Sequence, residues 1–360
     1  MKFEIETSAF TAALKALLRV AQSDWVTIVA DKHLTLQTSS AGASIHLNVE
    51  DSKIKEKGVC TVPCATLEGV LKKRKTVSFE KHKDTLKFKA GKAAAYAGSL
   101  TLLPVQEVNI EEENTDIKLD ENQLENLIEI VDGVSLLSVN MKKQDILPVC
   151  IRINSKGMEA SCASRNHMAY AKCSSISSKT EKDFAILPTI LPLIASVSNK
   201  SKYKLGITPT GVFASNKNFT VKFVTQQLDR FVKLESVKDF LKARSEPEAS
   251  IKMKADSLHT VFQNMISLYE TNSFIQFSLE DSTLQLSTKT KFGSASEKLE
   301  GKIKGSLKKP YSVHPKVFEN LLSKCKSNSI LIGMHDKKSV SLEQERNDVM
   351  YKYSCAVSGV

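Results

Sequence analysis

Residues Phe3 to Leu18, FEIETSAFTAALKALL, decide how the rest of the chain reads. Their apolar positions are Phe3, Ile5, Phe10, Leu14 and Leu17, two alternating residues followed by spacings of four and three. That pattern predicts a strand end feeding an amphipathic helix. The same skeleton returns as Ile117, Leu119, Leu124, Ile128 and Val131, and again as Ile251, Met253, Leu258, Phe262 and Met265. A second skeleton follows each copy in the same order: Val62, Leu67, Val70, Leu71; then Ile186, Leu191, Ile194, Ala195; then Val313, Phe318, Leu321, Leu322. Pro63, Pro188 and Pro315 sit at the start of these segments, where a helix tolerates a missing amide hydrogen. The expectation is a triplicated α+β chain, each unit two helices on an antiparallel sheet, with boundaries at 1–115, 116–243 and 244–360.

The length of 360 residues suits three such units better than one core. A content of 41% hydrophobic and 25% charged residues is that of an ordinary globular protein. No apolar run approaches a membrane span, and MKFEIETSAF lacks the basic start and apolar core of a secretion signal, so the expected location is cytoplasmic. Seven cysteines without paired spacing read as reduced, buried thiols. Cys60 and Cys64 have no second pair or histidine cluster to complete a zinc site, so neither metal nor cofactor is expected.

Net charge is +11, divided as +2, +5 and +4 over the three expected units. A basic excess spread along the whole chain points to one extended surface meeting a polyanion, although solubility alone also accounts for it. Between units lie two expected linkers, the acidic QEVNIEEENTD from Gln106 to Asp116 and the charged stretch from Leu228 to Ser250 that contains Pro247. Val77 and Phe79 are expected to pair with Leu86 and Phe88 across the polar turn KHKD. An enzyme reading finds no support: no HExxH occurs, and Gly206 with Gly211 has phosphate-loop spacing but continues with Val212 rather than lysine.

In the order MKFEIETSAF, CTVPCATLEGVLKK, LTLLPVQEV, SRNHMAYAK and LDRF, the chain resembles the bacterial-type β sliding clamp, the DNA polymerase III beta family, over essentially its whole length. The resemblance implies a non-catalytic processivity factor, a head-to-tail homodimer of six domains closed into a ring around duplex DNA. Its implied partners are double-stranded DNA, a DNA polymerase, a clamp loader and other proteins carrying clamp-binding peptides. A ring holds DNA topologically, so its lining needs positive charge that does not read bases. Candidates are Lys15, Arg19, Lys72, Lys73, Arg74, Lys75, Lys200, Lys202, Lys316, Lys324 and Lys326. Cations late in a helix also favour its macrodipole, which is the structural alternative. One departure stands out: DENQLENLIEIVD places Asp120, Glu121, Glu125, Glu129 and Asp132 where lining cations would be expected.

The resemblance also implies an apolar pocket for partner peptides, carried over onto Ile146, His167, Ala169, Tyr170, Val232, Val237, Ala356 and Val357, with packing between units as the plainer reading. Asn166, Met168 and Val232 stand where the family usually has glycine, arginine and proline, departures that bear on peptide preference. The implied ring seam pairs Ala93 to Leu100 with Ser294 to Glu300, using Ala95, Tyr96, Leu100, Met265, Ile266, Glu297 and Glu300. The alternative to the clamp is a monomeric clamp-fold module that binds nucleic acid or recruits partners without encircling DNA.

Overall fold

The structure is a computed structural model that describes residues 1–72, 74–90, 96–110, 119, 121–137, 146–164, 167–198, 204–207, 211–225, 231–244, 246–266, 274–280, 282–291, 293–336 and 339–357. In chain order the first elements are β1 (Lys2–Glu6), α1 (Thr7–Ala21), β2 (Trp25–Ala30), β3 (Leu34–Ser39), β4 (Ala43–Val49), β5 (Ser52–Glu56), β6 (Gly58–Pro63), α2 (Cys64–Leu71), β7 (Thr76–His82), β8 (Thr85–Ala90) and β9 (Tyr96–Thr101). Next come α3 (Glu121–Val134), β10 (Val149–Asn154), β11 (Gly157–Ala163), β12 (His167–Cys173), β13 (Lys182–Ile186), α4 (Ile190–Ser198), β14 (Lys204–Ile207), β15 (Gly211–Ser215) and β16 (Phe219–Val224). The remainder is α5 (Leu234–Lys242), β17 (Ala249–Lys254), α6 (Ala255–Ile266), β18 (Ile275–Glu280), β19 (Thr283–Thr290), β20 (Gly293–Glu300), β21 (Lys302–Gly305), β22 (Tyr311–Val313), α7 (Pro315–Leu322), β23 (Ser329–His335), β24 (Ser339–Arg346) and β25 (Val349–Ala356).

The chain divides into two compact units, one of Met1–Asn122 with Thr189–Thr225, the other of Gln123–Pro188 with Gln226–Val360. Contacts thus share the middle third of the chain between both units. Strand pairing is the cause. β16 adds antiparallel to β4, Val221 opposite Ile45, and β12 adds to β25, Ala169 opposite Tyr353.

In the first unit a seven-stranded sheet, β14-β15-β16-β4-β3-β2-β6, carries α1, α2 and α4, and a five-stranded sheet runs β5-β1-β7-β8-β9. The opening skeleton does what its spacing demands: Phe3, Ile5, Phe10, Leu14 and Leu17 are all buried. Each such side chain contributes about 1.5–3 kcal/mol of transfer free energy. The expected hairpin is present with Phe79 opposite Phe88 around Lys83 and Asp84. Phe3, Phe79, Phe88 and Tyr96 form a row of rings at successive centroid distances of 5.1, 6.5 and 5.3 Å, ending on the edge strand β9.

The second unit has a nine-stranded sheet, β13-β10-β11-β12-β25-β24-β23-β17-β21, and a four-stranded sheet, β20-β19-β18-β22. Its two skeletons are buried as well: Ile251, Met253, Leu258, Phe262 and Met265 from one, Val313, Phe318, Leu321 and Leu322 from the other. Phe318 of α7 meets Phe262 of α6 at 5.0 Å and Phe277 of β18 at 5.1 Å. Gly133 of α3 leaves room for a ring, since a Cβ there would stand 2.5 Å from Tyr351.

One expectation is corrected. The stretch from Leu228 to Ser250 is not simply a linker, because it contains α5, which packs on β10, β11 and β12. Leu234 and Val237 are buried and Leu241 is half-buried, a helical stripe that charged neighbours disguised. All seven cysteines are buried free thiols, and burial pushes those of Cys60 and Cys64 up to about 12, so both stay protonated. Among the described residues no helix is long and apolar enough to cross a membrane.

Candidate functional site

Three surfaces gather the expected residues, and the helical cations come first. In the first unit Lys15 and Arg19 are exposed, one turn apart on the solvent side of α1. Lys72 and Lys75 are exposed in the turn after α2, which is pinned to the start of α1 because the Thr7 amide donates to the Lys75 carbonyl at 2.9 Å. Arg74 in the same turn serves the fold. Its guanidinium donates to the carbonyls of Val70 at 2.9 Å and Lys72 at 2.6 Å and lies 3.7 Å from the centre of the Tyr96 ring. It thereby caps the orphan carbonyls at the end of α2 and props β9. Lys73, Lys200 and Lys202 lie outside the described residues.

In the second unit the acidic helix explains itself. Asp132 of α3 pairs with Lys324 at 3.3 Å and with Lys326 at 3.1 Å, and Lys324 also donates to the Ser135 hydroxyl at 2.9 Å. Partial burial works against the Asp132 charge, but the two ammonium groups outweigh it and hold the carboxyl below its ordinary value. Glu129 pairs with Arg346 at 3.1 Å and accepts from the Asn347 amide at 3.2 Å. Asn347 and Asp348 both have positive φ, as a two-residue hairpin turn between β24 and β25 requires, and this turn delivers Arg346 to α3. Lys324 and Lys326 therefore spend much of their charge inside the chain, on a partner the sequence reading treated as an anomaly. Lys316 and Glu125 are exposed.

The peptide-pocket residues all belong to the second unit, and the sheet separates them. Along β12, side chains alternate between faces. His167 and Ala169 point to the face that also carries Tyr351 and Tyr353, beside α3 and α7. The His167 ring is buried. The Asn320 amide approaches its Nε2 at 3.3 Å, which leaves Nδ1–H to donate to the Ser164 hydroxyl at 2.7 Å. Burial lowers its pKa to about 4, against the opposing pull of the Leu137 carbonyl. Leu137 in turn bridges to Ile146, which is 43% exposed.

Met168 and Tyr170 point to the opposite face, under α5. There Tyr170, Leu234 and Val237 form a buried apolar cluster flanked by Ala163, Met168 and Leu241. The Tyr170 hydroxyl donates to Glu159 at 2.6 Å, Glu159 pairs with Lys238 of α5 at 3.1 Å, and Arg152 pairs with Asp183 at 2.8 Å and with Glu235. Beyond the helix, Arg244 stacks 3.4 Å over the Phe240 ring and donates to Ser339 at 3.1 Å, whose strand partner is the exposed Ala356. Tyr170, Val237 and Ala356 thus share one face with Met168, already noted as a departure from the family, and it is bounded by three residues that the sequence reading did not assign to it: Leu234, Leu241 and Arg244. Val232 is 45% exposed before α5, and Val357 follows Ala356 half-buried.

The expected seam strands are both sheet edges, β9 at the end of the five-stranded sheet and β20 at the end of the four-stranded one. Tyr96, Glu297 and Glu300 are exposed, and Ile266 is half-buried. Leu100 and Met265 are buried within this chain, and Ala95 lies outside the described residues.

No family model matches the sequence, and no curated protein is similar to it. Solved structures are similar in fold. The DNA polymerase III subunit beta of Pseudomonas aeruginosa superposes with a TM-score of 0.82 at 15% identity, each chain covered at 100%. The DNA polymerase sliding clamp of Bacillus subtilis gives 0.83 at 15% identity, covering 100% of this chain and 99% of that one. The beta subunit from the DNA polymerase of Streptococcus pyogenes gives 0.80 at 14% identity with both chains covered at 100%. From Met1 to Val360, this chain has the α+β fold of the DNA polymerase III beta sliding clamps.

Proposed function

We propose that the protein is a DNA sliding clamp: three clamp domains per chain, 1–115, 116–243 and 244–360, and two chains closed head to tail around duplex DNA. It would act without catalysis, at the DNA in the cytoplasm, holding a DNA polymerase and other peptide-bearing partners to the template after a clamp loader opens the ring. The observation that carries this reading is the clamp fold over the entire chain at TM-scores of 0.80 to 0.83. Three features support it. Lys15 and Arg19 offer phosphate contacts that read no base. The strands β9 and β20 are sheet edges of the kind that pair with another chain. The α5 face has a buried apolar floor reaching an exposed C-terminal strand end at Ala356.

Sedimentation equilibrium tests the assembly. A clamp sediments at twice the 39.8 kDa chain mass at micromolar concentration, and a species that stays at 39.8 kDa contradicts the ring. The second reading, a monomeric clamp-fold binding module, is favoured by one observation: Asp132 and Glu129 engage Lys324, Lys326 and Arg346 within the chain.

A further inference from the structure

Beside the start of α6 an open cleft of about 840 Å³ is lined by Lys252, Lys254, Lys298, Lys302, Ser257 and Glu300, among others. None of these lysines belongs to the helical cations considered above. Lys252 and Lys254 alternate with the buried Ile251 and Met253, so the pleat places both on the exposed face of β17. Lys302 of β21 stands directly opposite Lys252 in the antiparallel register, and like charges in that position destabilise a sheet. Lys298 is satisfied by Glu280 at 3.0 Å. Among the described residues Lys252, Lys254 and Lys302 have no ion-pair partner, and the lining holds one carboxylate, Glu300, against them.

The helix adds to the same field. The first amides of an α-helix have no partner within it and carry the positive end of its dipole. In α6 the Ala255 amide is taken by the Asn328 carbonyl at 3.3 Å, while Ser257, the third residue of the helix, lines the cleft within the first turn. Asp256 in that first turn offsets part of the charge.

We infer that this cleft binds linked phosphates, as found in the backbone of a nucleic-acid strand or in a free polyphosphate. The chemistry of the lining selects that class. Lysines are point charges on flexible stems, suited to several phosphates in variable geometry, whereas one fixed carboxylate or phosphate is better held by an arginine fork. Among the described residues no aromatic ring lines the cleft, which gives them no platform on which to stack a base. Lys252 and Lys254, two residues apart on a strand, repeat at a spacing of about 6.6 Å, which suits successive groups of an extended chain. A bound phosphate would relieve the repulsion between Lys252 and Lys302. The lining shares Lys298 and Glu300 with β20, the seam strand of the proposed ring, whereas Lys252, Lys254 and Lys302 lie on β17 and β21, so footprinting of the free chain tests the cleft whatever the outcome for the ring.

Amine-reactive footprinting of the intact chain, read by peptide mass spectrometry, tests the site with three probes at equal charge: a short oligothymidylate, inorganic tripolyphosphate and polyglutamate. Labelling of Lys252, Lys254 and Lys302 should fall at least about threefold with the oligonucleotide at low salt and recover as salt rises. The exposed Lys179 serves as the reference. Protection by the oligonucleotide alone assigns the phosphates to a nucleic-acid strand; protection by tripolyphosphate as well assigns the site to linked phosphates of either source. Protection by tripolyphosphate alone assigns the site to free polyphosphate; unchanged labelling at saturating oligonucleotide and tripolyphosphate overturns the inference, and so does equal protection by polyglutamate. Lys252→Glu with Lys302→Glu, both at exposed positions, should abolish the protection of Lys254. Protection of Lys254 that survives these changes also overturns it.

Discussion

Asp132 sits between Lys324 and Lys326 at 3.3 and 3.1 Å, so one carboxylate of α3 pairs with two cations just past the end of α7 and offsets half of their charge. Replacing it with asparagine keeps the shape and removes the charge. Asp132 is half exposed, so solvent screening limits the loss of stability to about 1 kcal/mol. If Lys324 and Lys326 face DNA, Asp132→Asn strengthens duplex binding and steepens the plot of log affinity against log salt by about one to two units. Fluorescence anisotropy across a salt series measures both. An unchanged slope would mean that these lysines serve the fold alone.

Arg74 and the pair Lys15 and Arg19 separate in the opposite sense. Arg74→Ala removes the carbonyl contacts at the end of α2 and the stack on Tyr96, so it should cost about 1–2 kcal/mol in urea unfolding and leave the salt slope nearly unchanged. Lys15→Ala with Arg19→Ala should lower the slope by up to about two units and cost little stability, since both side chains are exposed.

His167 makes the fold sensitive to acid. An unfolded histidine takes up its proton near 6.5, whereas burial keeps His167 neutral down to about 4. Between these values the unfolded chain binds more protons, so stability falls as pH falls. At pH 5 the deficit from this residue is about 2 kcal/mol. His46, His314 and His335 are shifted in the same direction, each mainly by burial, so His167→Asn should reduce the loss between pH 7 and pH 5 without abolishing it. Urea midpoints at the two pH values measure the difference.

The α5 face can be blocked without disturbing the core. Ala356 is exposed at the end of β25, and Ala356→Trp should fill the approach to Met168 and Leu241. Binding of a clamp-binding peptide from the cognate polymerase should weaken at least about tenfold, with duplex binding and thermal midpoint unchanged. Unaltered peptide affinity would move the docking site to the His167 face.

Much of this was legible in the sequence, because burial writes a period into it. The skeletons beginning at Phe3, Ile251, Val62 and Val313 led to buried strands and helices, since apolar spacing reports which side of an element meets the core. What stayed hidden was the identity of partners distant along the chain. Glu129 reads as a misplaced charge until β24 and β25 turn at Asn347 and bring Arg346 to it, and Asp132 until the stretch after α7 brings Lys324 beside it. The stripe of Leu234, Val237 and Leu241 was present at helical spacing, but the charges of LDRFVKLESVKDFLKARSEPEAS outweighed it. His167 and Tyr170 came together through the family resemblance, whereas alternation along β12 places them on opposite faces of the sheet.

The central claim is topological, and retention on circular DNA tests it most directly. The protein is loaded by its cognate clamp loader onto nicked circles, washed at high salt, and followed after the circles are cut once. A ring stays on the closed circles through the wash and leaves the linear ends. Ala97→Lys, an exposed charge on the edge strand β9, should abolish retention with its fold intact. Protein that washes off closed circles as salt rises, and leaves linear DNA no faster, would contradict encirclement.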